Sequence, residues 1–374
     1  MFESARSLTH KERFSIWWRL HIDLPLLLGL LALAGFGLLI LYSASGEDMG
    51  VMKRQVIRLG LAFAVMFVVA QIPPRVFKAW AVPLYVLGVI MLLGVIFFGV
   101  MGKGAQRWLD LGFMRFQPSE ILKLALPMML AWYLAEHHLP PRKRYLVVAA
   151  ALIMVPTLLI AKQPDLGTAL LIASSGFFVL LLAGISWKLI AGLGISGALF
   201  APVAWLFLLH DYQKERVLTF LDPERDPLGK GYHIIQSKIA IGSGGLYGKG
   251  WLQGTQSQLE FLPERHTDFI FSVLGEEFGF VGVVALLVLY LFIITRGLYI
   301  GTQGQDTFAR LLAGALTLTF FVYLFVNIGM VTGLLPVVGL PLPLVSYGGT
   351  AMVTMMAGMG ILMSIRTHRR LHSS

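Results

Sequence analysis

The sequence predicts an all-α polytopic membrane protein with about ten transmembrane helices and one large outward-facing loop. Three observations carry that prediction. Hydrophobic residues make up 57% of the 374-residue chain against 13% charged, and mean hydropathy is +0.76, too apolar for one soluble core of this length. The apolar runs are continuous and rich in Leu with scattered Gly, whereas barrel strands would alternate in short segments. Each run approaches the roughly 20 residues that a crossing requires, with polar punctuation between runs.

In chain order, one membrane domain covers 1–374. Arg13, Trp17, Trp18 and Arg19 predict an interfacial helix over 14–21, and no removable signal peptide is evident. Crossings are expected over 24–42, 56–71, 79–100, 119–135, 145–161, 166–183, 189–209, 267–295, 309–333 and 346–365. A loop over 210–266, with short amphipathic helices, separates the seventh from the eighth. Both termini then share one side. Arg75, Lys78, Arg142, Lys143, Arg144, Lys188, Arg296, Arg310, Arg366, Arg369 and Arg370 fall there too, which makes that side the cytoplasm. The 210–266 loop accordingly faces outward.

Composition also excludes some chemistry. The absence of Cys removes disulfides, thiolate metal sites and a Cys nucleophile. The net charge of +10 suits anionic lipid headgroups or a phosphate-bearing lipid, while basic residues clustered at membrane borders disfavour nucleic acid. No Gly-x-Ser-x-Gly elbow supports a serine hydrolase, and His266 has no second His at zinc-ligand spacing.

Ionisable side chains crowd Pro263-Glu264-Arg265-His266-Thr267-Asp268 at the mouth of an apolar segment. Pro263 predicts a helix starting just after it, with Asp268 near its first turn. A carboxylate there can act as a general base or bind a cation, or it can simply be satisfied by the helix dipole and a neighbouring Arg. Pro118-Ser119 predicts a second helix start, with Glu120 and Lys123 on nearly one face, either neutralising each other or lining a polar cavity. Asp165 in Gln163-Pro164-Asp165 reads as a helix cap. The stretch from Pro341 to Thr350 reads as a Pro- and Gly-rich approach to the last helix, offering either N–H groups to an anion or close packing. Glu276 and Glu277 read as a proton or cation path, or as tethers to polar groups such as Asn327. The glycines at 242, 244, 245, 248 and 250 fail the nucleotide-loop pattern and read as a flexible hinge, and the acids at 222–226 as a turn.

Five stretches in order, Gly104-Ala105-Gln106-Arg107-Trp108-Leu109, Gln117-Pro118-Ser119-Glu120, Gln163-Pro164-Asp165-Leu166-Gly167-Thr168, Pro263 through Phe269, and Pro341 through Gly349, resemble the SEDS family (shape, elongation, division and sporulation). Arg265 before His266 points to its elongation branch. The resemblance implies a peptidoglycan glycosyltransferase that polymerises lipid II at the outer face of the cytoplasmic membrane, working beside a class B penicillin-binding protein. It implies Asp268 as the catalytic residue and gives Glu120 and Lys123 functional importance. Arg107, Gln117, Asp165, Arg265, His266 and Ser346 complete the expected substrate contacts, and Mg2+ or Mn2+ is an expected cofactor without an evident ligand set. A lipid II flippase and a non-catalytic scaffold for a transpeptidase are the competing readings.

Overall fold

The computed structural model describes residues 20–102, 105–110, 112, 115–208, 211–222, 230–258 and 264–368. The expected interfacial helix, the 222–227 turn beyond Asp222, the start of the loop at 209–210, Lys103, Gly104, Pro263, Arg369 and Arg370 lie outside the described residues.

Ten helices occupy the ten expected apolar stretches. They are α1 (Leu24–Ala44), α2 (Met49–Ala70), α3 (Pro74–Phe98), α4 (Ser119–Ala135), α5 (Lys143–Lys162), α6 (Leu166–Leu182), α7 (Trp187–Val203), α11 (Ile270–Thr302), α12 (Thr307–Val331) and α13 (Thr350–Thr367). Among the described residues, seven helices are long and apolar enough to cross a membrane; α2, α4 and α6 are not among them. The reasons are visible in sequence: α2 carries Lys53, Arg54 and Arg58, while α4 and α6 have 17 residues each. The 210–266 loop contributes α8 (Asp211–Leu221), α9 (Lys230–Ser243) and the short α10 (Thr255–Gln258). One departure from an all-helical chain is a small antiparallel meander between α3 and α4, with β1 (Val100–Gly102), β2 (Ala105–Asp110) and β3 (Arg115–Phe116).

The buried core runs through α1, α4, α11, α12 and α13, with α11 packed on α1, α12 and α9, and α13 laid along α2. Two irregular segments enter this core. Residues 340–349 are non-helical, so α13 starts at Thr350, not at the expected Ser346. They are nevertheless buried: Tyr290 Oη in the middle of α11 donates to Pro343 O at 2.6 Å, and Gly37 of α1 leaves room for the main chain of Leu344 and Val345. Irregular backbone is tolerated in a bundle when protein surrounds it in this way.

The second irregularity is in α11, which breaks at Gly279 (φ 63, ψ −159), a conformation open to glycine alone. The glycine run of the 210–266 loop fills the break. Lys249 N and Gly250 N donate to Glu276 O and Glu277 O, each at 3.0 Å, while Phe280 N and Val281 N donate to Gly245 O (2.9 Å) and Leu246 O (3.1 Å). The flexible hinge expected of these glycines is therefore corrected to a docked segment, because main chain can approach main chain this closely only without Cβ atoms. A Cβ on Gly248 would lie 2.1 Å from Glu277 O, and one on Gly279 would lie 2.3 Å from Gly248 N.

Gly279→Ala is expected to destabilise the purified protein by about 2 kcal/mol or more, read as a fall in melting temperature in detergent. Gly60→Ala, where a Cβ meets nothing within 4 Å, should leave it unchanged. A rise in melting temperature for the Gly279 variant, as expected if Ala merely repaired a helix, would contradict the docking role.

Candidate active site

Asp268 lies in a turn over 264–269, just ahead of α11, not in its first helical turn as expected. Glu264 at φ 54 interrupts any helix running from Pro263. The turn is held through its main chain. Asn327 Nδ2 of α12 donates to Asp268 O (3.0 Å) and Leu340 O (2.8 Å). Ser346 Oγ donates to Thr267 O (2.6 Å) and accepts from Leu342 N (2.8 Å), and Tyr347 N donates to His266 O (2.8 Å). Buried Gln55 of α2 donates to Ser346 O (3.3 Å) and accepts from Gly348 N (3.4 Å). The main chain of the turn is anchored in this way, Thr267 Oγ1 turns back to Glu264, and the half-buried Asp268 carboxylate stands against Gly339. Ser346, expected to contact substrate, instead uses its buried hydroxyl in this clamp.

The Glu120–Lys123 pair forms as the spacing predicts, at 2.7 Å and buried on α4. Lys123 Nζ also lies 5.6 Å from the centre of the Tyr323 ring. Tyr323 and Asn327 are one turn apart on α12, so this pair sits about 6 Å deeper along the helix axis than the anchor of Asp268. Among the described residues, Glu120 Oε2 and Ser119 Oγ are buried without a hydrogen-bond partner, and the buried Tyr323 hydroxyl has Lys123 beside it. Such polarity inside a bundle marks a site, not a packing contact.

Asp165 caps α6 through Thr168 N (3.2 Å), as expected, and also joins Arg107 Nη1 and Gln117 Nε2, each at 3.3 Å. Arg107 Nη2 donates to Pro164 O at 3.0 Å. The meander thereby fixes Arg107 over the α5–α6 turn. Gly167, at the start of α6, abuts Val338, and Gly339 next in chain abuts Asp268. The 334–340 connection thus joins the Asp165 cluster to the Asp268 turn.

Sequence reasoning left out several residues that the structure brings to this place. Arg54 Nε donates to Tyr347 Oη (3.2 Å), and the Arg58 guanidinium lies 4.5 Å above the centre of the Tyr347 ring. His266 meets the same ring edge-on at 5.8 Å, and Arg265 reaches Gly46. Among the described residues, neither Arg54 nor Arg58 forms an ion pair with a carboxylate. The available signal was two Arg at i and i+4 opening an otherwise apolar helix, a costly placement.

Glu276 and Glu277 are tethers, though not to Asn327. Glu276 Oε1 accepts from Lys249 Nζ (2.8 Å), Gln256 N (2.9 Å) and Thr255 Oγ1 (3.1 Å). Ser43 Oγ of α1 donates to Glu277 Oε1. Among the described residues no three His, Asp or Glu converge as a metal cage.

Ten helices, seven of them long and apolar enough to cross a membrane, with a carboxylate turn at one end, are the arrangement of a polytopic membrane protein. The family model described as a cell cycle protein (FtsW, RodA, SpoVE) matches residues 24–371, and the chain belongs to this SEDS family. It is 58% identical over 359 residues to the peptidoglycan glycosyltransferase MrdB of Escherichia coli K12, covering 96% of this chain and 97% of that protein. It is 38% identical to the probable peptidoglycan glycosyltransferase FtsW of Trichlorobacter lovleyi, with 93% and 94% covered. Among solved structures, a chain from a peptidoglycan synthase complex that coordinates polymerisation and crosslinking aligns with TM-score 0.80 and 36% identity, covering 92% of this chain and 97% of that one. The rod shape determining protein RodA of Thermus thermophilus aligns at 0.69 and 31%, covering 92% and 96%.

Lys123→Met should destabilise the protein by about 3 kcal/mol or more, since it leaves the Glu120 carboxylate buried without its counter-ion. Glu120→Gln combined with Lys123→Met should recover most of the lost melting temperature. Equal stability of the single variant and the parent would show that the pair is wetter than its burial indicates.

Proposed function

We propose that this chain is a peptidoglycan glycosyltransferase of cell elongation that polymerises lipid II into glycan at the outer face of the cytoplasmic membrane. One observation carries the mechanism: a half-buried carboxylate on a turn held by its main chain, next to the segment whose Tyr347 ring meets Arg54, Arg58 and His266. The acceptor sugar's 4-hydroxyl must lose a proton as its oxygen attacks the anomeric carbon of the donor. Asp268, on a rigid turn, takes that proton as general base. The leaving group is undecaprenyl pyrophosphate, which departs as an anion and needs no acid. Attack from the opposite face inverts the anomeric centre.

Cations stabilise the departing charge, and guanidinium forks suit phosphate oxygens. Lys123, Arg107 and Arg265 are the expected cations; of these, Lys123 and Arg107 face the carboxylates of Glu120 and Asp165, which brings Arg54 and Arg58 forward for the pyrophosphate. The Glu120–Lys123–Tyr323 cluster, with unused buried polar atoms, suits hydroxyl or amide groups of a sugar. The described residues do not make a cage for Mg2+ or Mn2+, so a divalent ion would come chiefly on the pyrophosphate oxygens, and no step here depends on it. In this reading both termini are cytoplasmic, the Asp268 end faces outward, and a class B penicillin-binding protein supplies crosslinking.

Polymerisation in detergent separates the enzyme from a flippase or scaffold, because micelles offer no second compartment to deliver substrate to. Purified chain with its transpeptidase partner should convert lipid II to glycan, and Arg54→Gln with Arg58→Gln should lower kcat/KM by about tenfold or more. Absence of glycan from a folded preparation containing the partner would favour transport. Unchanged kcat/KM in the double variant would remove the two arginines from the donor site.

A further inference from the structure

At the end of the bundle opposite Asp268, the approach to α1, the start of α3, the turn before α12 and the end of α13 enclose a cavity of about 480 Å3. His21, Arg75, Asp306, Thr367 and His368 line it. The His21 and His368 rings are stacked face to face, with centroids 3.7 Å apart and planes within 3°. His21 adopts φ 53, unusual for a residue with a Cβ, and its Nδ1 meets Thr367 Oγ1 at 3.2 Å. The fold thus accepts backbone strain to set two imidazoles together beside a guanidinium.

Burial, then the facing His368, hold the His21 imidazole below its ordinary pKa. Burial does the same for His368, with Arg75 acting in the same direction, against hydrogen bonds that the ring donates to the Ser364 and Gln71 main chain. The nearby carboxylates have other work. Asp23 is gripped by Arg296 at 2.7 and 2.9 Å with Arg366 at 3.9 Å, and Asp306 caps α12 through Ala309 N at 2.8 Å. What faces the cavity is Arg75 and two imidazoles able to take protons, against the single Asp306.

We propose that this cavity binds a phosphate group, carried by an anionic lipid headgroup of the adjoining leaflet or by a small soluble phosphate, with Arg75, His21 and His368 as its donors. A guanidinium offers forked N–H groups matched to phosphate oxygens, and a protonated imidazole adds another charged donor. The anion reverses the balance that keeps the rings neutral, so binding takes up protons and tightens as pH falls. Pro73, Pro74 and Ile365 give the cavity an apolar wall on which the glycerol end of a headgroup can rest. None of these residues belongs to the Asp268 site, so the inference stands apart from the proposed activity.

The test uses full-length protein with isotope-labelled His, its His21 and His368 signals assigned through His21→Gln and His368→Gln. Inorganic phosphate is titrated in detergent, and nanodiscs of phosphatidylglycerol are compared with nanodiscs of phosphatidylcholine. At fixed pH both imidazole signals should move toward the protonated position, and Arg75→Gln should weaken the response about tenfold or more. A response confined to phosphatidylglycerol identifies the headgroup, and one to inorganic phosphate identifies a soluble ligand. No movement of either signal with any probe, or movement indifferent to Arg75→Gln, would overturn the proposal.

Discussion

The break in α11 at Gly279 is the constraint on which the rest depends. A helix interrupted within a membrane bundle frees main-chain donors and acceptors that lipid cannot satisfy. Here the carbonyls of Glu276 and Glu277 and the N–H groups of Phe280 and Val281 are all taken by the loop segment over 245–250. The two carboxylates beside the break reinforce the junction, Glu276 through Lys249 and the start of α10, Glu277 through Ser43 of α1. The 245–250 part of the 210–266 loop is therefore built into α11.

That junction has a consequence for chemistry. Eight residues separate Ile270 from Gly279, so the Asp268 turn sits on a short rigid piece of helix pinned at both ends. Below, the piece is fixed by the loop; above, by Asn327, Ser346 and Tyr347. A base that abstracts a proton during bond formation needs placement to a fraction of an ångström, which such pinning supplies better than a mobile lid would. The non-helical 340–349 segment extends the same logic, since it presents main-chain groups where a regular helix would have none free.

Much of this was legible in the sequence because long apolar runs and caps are local signals. The positions of the ten helices, the Glu120–Lys123 pair and the Asp165 cap follow from spacing along one helix or turn. What was not legible depends on contacts across the chain. Glycines at 244–250 look alike whether they flex or dock, and only the partner backbone at 276–281 decides. Arg54 and Arg58 lie almost 300 residues before Tyr347, the contact that gives them a place. Asn327 was expected as a partner of the buried carboxylates, and it holds the carbonyls of Asp268 and Leu340 instead. Ser346 misled for the opposite reason: a polar side chain in a Gly-rich stretch suggests a ligand, and here it closes a turn.

The central claim is that Asp268 is held by its main chain so that its carboxylate can act as the base, with little part in stability or in substrate capture. Lipid II binding and glycan synthesis measured on the same preparation of purified Asp268→Asn protein, with its transpeptidase partner, test this most directly. The account predicts unchanged melting temperature, lipid II affinity close to that of the parent, and polymer at background level. Polymerisation at a rate near that of the parent would contradict it.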